Sequence, residues 1–583
     1  MNPDAHRIAA ASALETGKRG SAIRHLKRGA KLAPRDGRFP LALAEVLLHA
    51  GQASEALDWA RRAFRLAPEI RETRLVLVRC LLLARLHQPA AELLDGQMGP
   101  EERRLLACAH AVRGMSLMFG RRYLDAADAY LESLSLAPRQ SAVLSNLGGA
   151  YCMAGDLDAA EDYFRRAIKS DPSFLAARSN LLLCMHYPDA HSPAVLASEH
   201  RRQGRAWKQY APEAPAVLIR RERRRPRIGF VSSDLRRAPV ARFVEPFLRH
   251  YDRSRFHVTC YYSASVEDEY TRRLRTLSDR WQLIHGMTDL EAAQQIRADG
   301  CDLLIDLNGH NHGNRLGVFA LRAAPVQAAY LGYPDTSGVA EIDYRISDAI
   351  CDPPPRAQRY CTEKLVYVPD CFLCFQPLRR APRVTPLPAD RTGAVTFGCL
   401  NQLQKLSDAA IDLWAEILSK APDARLLLKA ASLADPRIAA RTRERFEAEG
   451  IESARLDLRG PVAKEREHLA TYGEVDIALD PFPYAGTTTT CEALWMGVPV
   501  LTLNGNCHAS RVGASLLHAV GLDAFIAARP LDYVRIAVQA AQDRQRLCEI
   551  RAGLRGRMRE STLCDQAAFA RKFERVLEQM IAG

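Results

Sequence analysis

Asp480–Pro499 reads DPFPYAGTTTTCEALWMGVP, and the apolar run Val475–Leu479 leads into it. The run predicts a buried strand; Pro481, Pro483 and Gly486 predict a turn; Cys491–Met496 predicts a helix closed by Gly497. Thr487–Thr490 place four hydroxyls where that helix begins. The first N–H groups of a helix lack intrahelical partners and carry partial positive charge, so a strand, turn and helix of this kind can cradle a phosphate. Thr489-x-x-Glu492 also fits an ordinary capping box, and the stretch alone leaves both readings open.

The surroundings of this stretch are α/β in texture. Val395–Gly398, Arg425–Lys429, Leu456–Leu458 and Val498–Leu503 are further strand candidates, and Cys399–Lys405 (CLNQLQK) follows the first of them. Lys405 is placed to reach a phosphate. An earlier series comprises Arg227–Val231, His257–Tyr262 and Asp302–Asp306, with a helical stretch at Thr288–Asp299. Alternating strands and helices predict parallel sheets, whose ligands sit at the carboxyl ends of the strands. That rule draws in Asp234, after the first strand, and the loop LNGHNHG at Leu307–Gly313 with His310 and His312. An imidazole there can act as general base or as a structural donor. Gln327–Gly338 reads as a second glycine- and proline-rich loop, and the prolines at 353–355 and 377–388 mark a break between two lobes. The closing amphipathic helices, Leu531–Ala582, are expected to pack back across the first lobe. No G-x-G-x-x-G or P-loop pattern is present, which argues against a dehydrogenase or an ATPase.

Upstream the texture is helical. Pro34, Pro68, Pro138 and Pro172 each end an apolar helical run, at intervals of 34, 70 and 34 residues, with Pro100 near the middle of the long one. A 34-residue period is the tetratricopeptide spacing. The unit before Pro172 carries Leu147, Gly148, Tyr151, Ala160, Phe164 and Ala167 at the signature offsets. About five repeats, some degenerate, are expected over residues 1–185. Such a solenoid binds extended protein or peptide, or serves as a dimerisation arm, so a homodimer is among the expected states. Residues 186–225, with four prolines and the basic run Arg220–Arg225, read as a connector. Residues 226–385 and 386–583 then form the two lobes.

At 583 residues with 48% hydrophobic and 26% charged side chains, the chain has the composition of a multidomain globular protein. The net charge of +13 comes largely from arginines scattered over helix faces, so no nucleic-acid track is expected. There is no leader-like apolar segment and no uncharged run near the ~20 residues a membrane span needs. Fifteen dispersed cysteines suit a reduced, cytoplasmic setting. Cys371-x-x-Cys374 lacks a second pair at zinc spacing and reads as strand core; no metal ligands are expected.

Taken in order, these parts resemble the O-linked N-acetylglucosamine transferases and their SPINDLY-like bacterial relatives. The most specific pieces are DLNGHNHGNRLGVFALRAAPVQAAYLGYPDTSG at Asp306–Gly338, GCLNQLQK at Gly398–Lys405, and the opening stretch with its following Ser510-Arg511-Val512-Gly513. The resemblance implies an α-solenoid followed by an α/β two-lobed glycosyltransferase of GT-B type, with two Rossmann-like domains. It implies an inverting, metal-independent transfer, without a cofactor, from a nucleotide-sugar donor such as UDP-GlcNAc to Ser or Thr hydroxyls of proteins. Gln402 and Lys405 match donor-contacting positions, Lys405 on the diphosphate. Ala463 and His468 match positions holding the uracil ring, the histidine by stacking. Thr487, Thr488 and Thr489 match the phosphate turn, and Glu492 stands where the family has an acidic residue on the ribose.

Some positions depart from that pattern. Relatives read D-x-x-x-H-P-V-G after the first strand, and the histidine is their proposed base; here the segment is Asp234-Leu235-Arg236-Arg237-Ala238-Pro239-Val240-Ala241. Ala485 replaces an asparagine common before the threonines. A lysine usual near the uracil is displaced, Lys464 being followed by Glu465. Asp234, His310 or His312 then remain as candidate bases. The alternatives are a repeat scaffold that senses a nucleotide sugar without turnover, and a fucosyl transferase using GDP-fucose.

Overall fold

The computed structural model describes residues 2–94, 99–210 and 225–583. The chain divides into two compact units, Met1–Ala150 and Tyr151–Gly583.

The first unit is all helix. Pro3–Glu15 packs on Arg19–Leu32, Arg38–His49 on Ala53–Leu66, and Pro100–Phe119 on Tyr123–Leu136. Pro34, Pro68 and Pro138 each follow a helix end by two residues, where a missing N–H and a fixed φ prevent continuation. Close pairing depends on missing side chains. A Cβ on Gly29 would lie 2.1 Å from the Phe39 ring, and one on Gly114 would lie 2.5 Å from Tyr130. The irregular middle of the repeat array has a physical form: a six-residue helix, His87–Glu92, precedes a 20-residue helix that Pro100 opens at its first position.

The second unit opens with the helices Leu157–Ser170, Leu175–Cys184 and Pro193–Tyr210. The last of these lies inside the expected connector. Pro193 starts this helix, and Ala206 and Trp207 are buried in a core they share with Leu304, Phe319 and Val339. Gly204 lies against Gly338, where a Cβ would stand 1.9 Å from the Gly338 carbonyl oxygen. The helix thus belongs to the lobe that follows it. The basic run at 220–225 lies outside the described residues except for Arg225, which donates to the Phe256 carbonyl at 2.7 Å.

The first sheet contains β1 (Arg227–Ser232), β2 (His257–Tyr262), β3 (Arg280–Leu283), β4 (Leu303–Asp306), β5 (Val326–Tyr330), β6 (Tyr344–Ser347) and β7 (Lys364–Tyr367), in the order β3-β2-β1-β4-β5-β6-β7. The second contains β8 (Thr396–Cys399), β9 (Arg425–Lys429), β10 (Leu456–Arg459), β11 (Ile477–Leu479), β12 (Val500–Leu503) and β13 (Ile526–Ala527), in the order β10-β9-β8-β11-β12-β13. Every pairing is parallel. The architecture is a helical-repeat region followed by two Rossmann-like lobes. Two local expectations are corrected. Residues 326–330 form a buried strand within what reads as loop, and Cys371–Cys374 is buried without being a strand.

The chain closes on itself at Gln566–Ala582, whose helix packs on Pro239–His250 of the first lobe. The rings of Phe573 and Phe247 lie 5.0 Å apart, and Glu574 accepts from the Asp252 N–H at 2.6 Å and pairs with Arg255 at 3.0 Å. In each sheet the strand order reverses beside the first strand, at β1/β4 and at β8/β11. Those are the switch points where α/β sheets leave a crevice beyond their strand ends. The segments emerging there are Ser232–Asp234, Leu307–Gly313, Cys399–Lys405 and Asp480–Gly486.

Candidate functional site

The opening stretch folds as strand, turn and helix, and its turn is tightly built. Asp480 follows β11, is 1% exposed, and accepts from the Gly486 N–H at 2.7 Å and the Thr502 hydroxyl at 2.8 Å. Gly486 is required by close approach: a Cβ would lie 2.6–2.9 Å from the Thr489 and Thr490 hydroxyls and the Asp480 carboxylate. The helix runs Thr488–Trp495 with Thr487 as its N-cap, and the Thr487 side chain makes no capping bond. The Thr489–Glu492 capping box does not form. Thr489 instead donates to Asn401 at 2.8 Å, tying the turn to the loop after β8. The first N–H groups of this helix receive no capping bond from the Thr487 side chain and have no intrahelical partner.

A cleft of about 370 Å³ opens between the lobes. It brings together Gln402, Ala463, Lys464, His468, Thr488 and Glu492, and adds Arg242 and Tyr270 from the first lobe with Lys429 and Asn401 from the second. His468 projects from the short helix Glu465–Ala470. Its Nε2 donates to Glu492 at 3.1 Å, and its Nδ1 accepts from Lys429 Nζ at 2.7 Å. Those partners fix the tautomer and the ring plane. Burial lowers the Lys429 pKa. Arg242 donates to Glu465 at 2.8 Å and stands 3.6 Å from Glu492, so one guanidinium from the first lobe reaches two carboxylates of the second. Lys464 is exposed and pairs with Glu467 at 3.5 Å. Lys429 was legible in principle, as the last residue of a strand whose carboxyl end faces the crevice.

Lys405, Thr487 and Thr489 are near this cleft without lining it. Lys405 Nζ donates to the Ala485 carbonyl at 2.9 Å and sits 4.0 Å from the centre of the Tyr484 ring, bracing the turn before the helix Thr488–Trp495. Burial pulls its pKa down to about 8, and burial pushes the Asp480 carboxyl up to about 7.

The three candidate bases fall in different places. His310 is 1% exposed; Nε2 donates to the Ser337 carbonyl at 2.7 Å and Nδ1 accepts from Ser179 at 3.1 Å. Trp207 and Tyr333 pack edge-on around it, and burial holds its pKa near 3. With both nitrogens engaged in the interior, His310 has the surroundings of a framework residue. His312 is exposed on the loop after β4, and the Ser233 hydroxyl donates to its carbonyl at 3.2 Å. Asp234 stands at the carboxyl end of β1, held by Asn308 at 3.4 Å; burial raises its pKa against the pull of Arg236. Ala238 lines the cleft and caps the helix Pro239–His250 with φ −146° and no side-chain bond.

The family model described as "Glycosyl transferase family 41" matches residues 209–377 and 383–573. The chain belongs to that family. A tetratricopeptide repeat model matches residues 9–69 and 112–173. Among curated family 41 relatives, the probable UDP-N-acetylglucosamine–peptide N-acetylglucosaminyltransferase SPINDLY of Solanum lycopersicum is 39% identical over 418 residues, covering 71% of this chain and 45% of the relative. The Arabidopsis thaliana protein of the same name is 38% identical over 417 residues, covering 71% and 46%. This chain therefore spans just under half the length of those plant proteins. The solved structure of a mutant Thermobaculum terrenum O-GlcNAc transferase superposes with a TM-score of 0.76 at 31% identity, over 94% of this chain and 97% of that one. Among the described residues no helix is long and apolar enough to cross a membrane.

Proposed function

We propose that this family 41 chain transfers a sugar from a nucleoside diphosphate to Ser or Thr hydroxyls of proteins, with inversion at the anomeric carbon. The observation that carries the reading is the convergence of Gln402, Ala463, His468, Thr488 and Glu492 on one interlobe cleft at both switch points. In this reading His468 is held edge-fixed by Lys429 and Glu492 so that its face can stack on the base. Glu492 also offers a carboxylate oxygen to the ribose. The diphosphate sits on the N-terminus of Thr488–Trp495, and charge on the departing nucleotide is met by those N–H groups, the Thr488 hydroxyl and Lys405, without need of a metal ion or cofactor. UDP-GlcNAc is the assigned donor, after the named activity of the relatives. The repeats recruit the protein acceptor.

Asp234 is assigned the base. Among the three candidates it combines a carboxyl end of a central strand with a raised pKa, which makes a better proton acceptor. A second reading, nucleotide-sugar binding without turnover, is favoured by one observation: a methyl group, Ala238, lines the cleft where relatives carry their proposed base. Calorimetric titration with UDP and GDP, followed by transfer assays with UDP-GlcNAc and GDP-fucose on protein acceptors, separates these readings. UDP binding with GlcNAc transfer is the expected result. Binding of GDP with fucose transfer would reassign the donor, nucleotide binding without transfer would favour the sensor, and binding of neither nucleotide would remove the cleft assignment.

A further inference from the structure

Behind the phosphate turn lies a polar cluster that the transfer reaction does not use. His186 is 3% exposed, and neither of its ring nitrogens has a hydrogen-bond partner. Interior imidazoles are rarely left so, because each unpaired nitrogen forfeits its bonds to water with nothing in exchange. The Asp335 carboxylate stands 3.6 Å from His186 Nε2. His200, also buried, donates from Nδ1 to the Leu196 carbonyl at 2.7 Å, which leaves the Nε2 lone pair to accept from the Tyr333 hydroxyl at 2.7 Å. One ligand atom from each of His186, His200 and Asp335 lies within 4.8 Å of the others.

We propose that His186, His200 and Asp335 form a binding site for a divalent transition-metal ion of zinc type, with Tyr333 as the neighbouring oxygen donor. Two imidazoles and a carboxylate are an ordinary zinc donor set. Bonds of about 2.0–2.1 Å place ligand atoms roughly 3.4 Å apart, so side-chain shifts of about 1 Å close the cluster on an ion. The second shell is already present for His200: a backbone carbonyl holds its other nitrogen and sets the ligating tautomer. The nearby Arg345 guanidinium is committed to Asp352 at 2.8 Å. Asp335 also borders a pocket of about 40 Å³ beside Cys361 and Cys507.

The three ligands come from three segments. His186 follows the helix Leu175–Cys184, His200 lies on Pro193–Tyr210, and Asp335 is in the loop after β5. An ion here staples the end of the helical region to the first lobe. His186 also meets the Tyr484 ring edge-on at 6.4 Å, and that ring carries Lys405. The metal's role is therefore structural support beneath the phosphate turn, apart from the transfer step. Sequence spacing does not reveal such a site, because 14 and 135 residues separate its ligands.

The test uses the full chain, stripped with a chelator and then titrated with Zn²⁺, or with Co²⁺ as a spectroscopic probe. One equivalent per chain by elemental analysis, visible bands of low-symmetry cobalt and a raised melting temperature are expected. His186→Gln and Asp335→Asn should each weaken uptake at least about tenfold. His518→Gln, at an exposed histidine bonded to Asp523, should leave it unchanged. Failure of the folded wild-type chain to take up either ion stoichiometrically would overturn the proposal, whatever the variants do. Equal uptake by wild type and both folded variants would overturn it too.

Discussion

His468 and Glu492 are bonded at 3.1 Å across the second lobe, the histidine from a short surface helix and the glutamate from inside the helix that begins the phosphate turn. The glutamate is 6% exposed and serves His468 and Arg242 together, so the orientation of the imidazole and a contact between the lobes depend on one carboxylate. Glu492→Ala is expected to weaken UDP binding about tenfold or more, about 1.4 kcal/mol, because the ring loses its orienting acceptor and a buried guanidinium loses a partner. Glu492→Gln, which still accepts from Nε2–H, should fall between the two. Calorimetry on the three chains checks the order; equal affinities would show that His468 is positioned by Lys429 alone.

If Asp234 takes the acceptor proton, Asp234→Asn lowers kcat by about 10²–10⁴ and leaves UDP affinity unchanged. The rate should rise with pH through a value above the ordinary carboxylate 3.8, since burial raises this group. Ala238→His, introduced on the cleft wall, should restore part of the lost rate in the Asp234→Asn chain. A rate unaffected by Asp234→Asn moves the base elsewhere.

Burial brings Lys405 and Asp480 toward neutrality from opposite directions, pulling the lysine down to about 8 and pushing the carboxyl up to about 7. A bound diphosphate adds negative charge at the turn, which favours the protonated form of both groups. Binding should therefore take up protons, and affinity should decline as pH rises from 7 through 8, because Lys405 loses its charge and Asp480 gains one in that window. Calorimetry in buffers of different ionisation enthalpy measures the proton count directly. Lys405→Met should remove the lysine's share of the uptake and leave that of Asp480.

Much of this fold was readable because its central strands are short apolar runs between turns. β2 and β9 fall at the bounds the pattern predicts, and β1, β4, β8 and β10–β12 fall within two residues of them. Five strands go unread, β3, β5, β6, β7 and β13, and for two of them the reason is physical. β3 (RWQL) is an edge strand without a buried face, and β5 runs straight into a glycine-rich loop whose composition masks it. The strand, turn and helix at the threonine stretch were legible because apolar run, glycine turn and helical run are contiguous. What composition cannot show is pairing across the chain: Glu492 with His468, Arg242 with two carboxylates, and His186 with residues of the first lobe. The helix Pro193–Tyr210 was hidden for a related reason. The prolines at 188, 193, 212 and 215 read as linker, while small residues of the helix such as Gly204 and Ala206 pack against the first lobe.

That packing makes a sharp prediction at Gly204. A Cβ there would stand 1.9 Å from the Gly338 carbonyl oxygen, and Gly338 cannot yield easily: its φ is +70°, and a Cβ on it would lie 2.1 Å from the His200 carbonyl oxygen. Both partners are backbone, so no side-chain rotation relieves the contact. Gly204→Ala should cost about 1–3 kcal/mol by overpacking, read as a lower urea midpoint. The same shift separates His200 from the loop bearing Tyr333 and Asp335, so hydrogen exchange should rise in Pro193–Tyr210 and after β5, while the second lobe stays protected. Gly556→Ala, on the helix Arg544–Glu560 where nothing lies within 4 Å of a new Cβ, should be neutral or slightly stabilising. Equal midpoints for Gly204→Ala and Gly556→Ala would mean that the Pro193–Tyr210 helix is not held against the first lobe at this glycine pair.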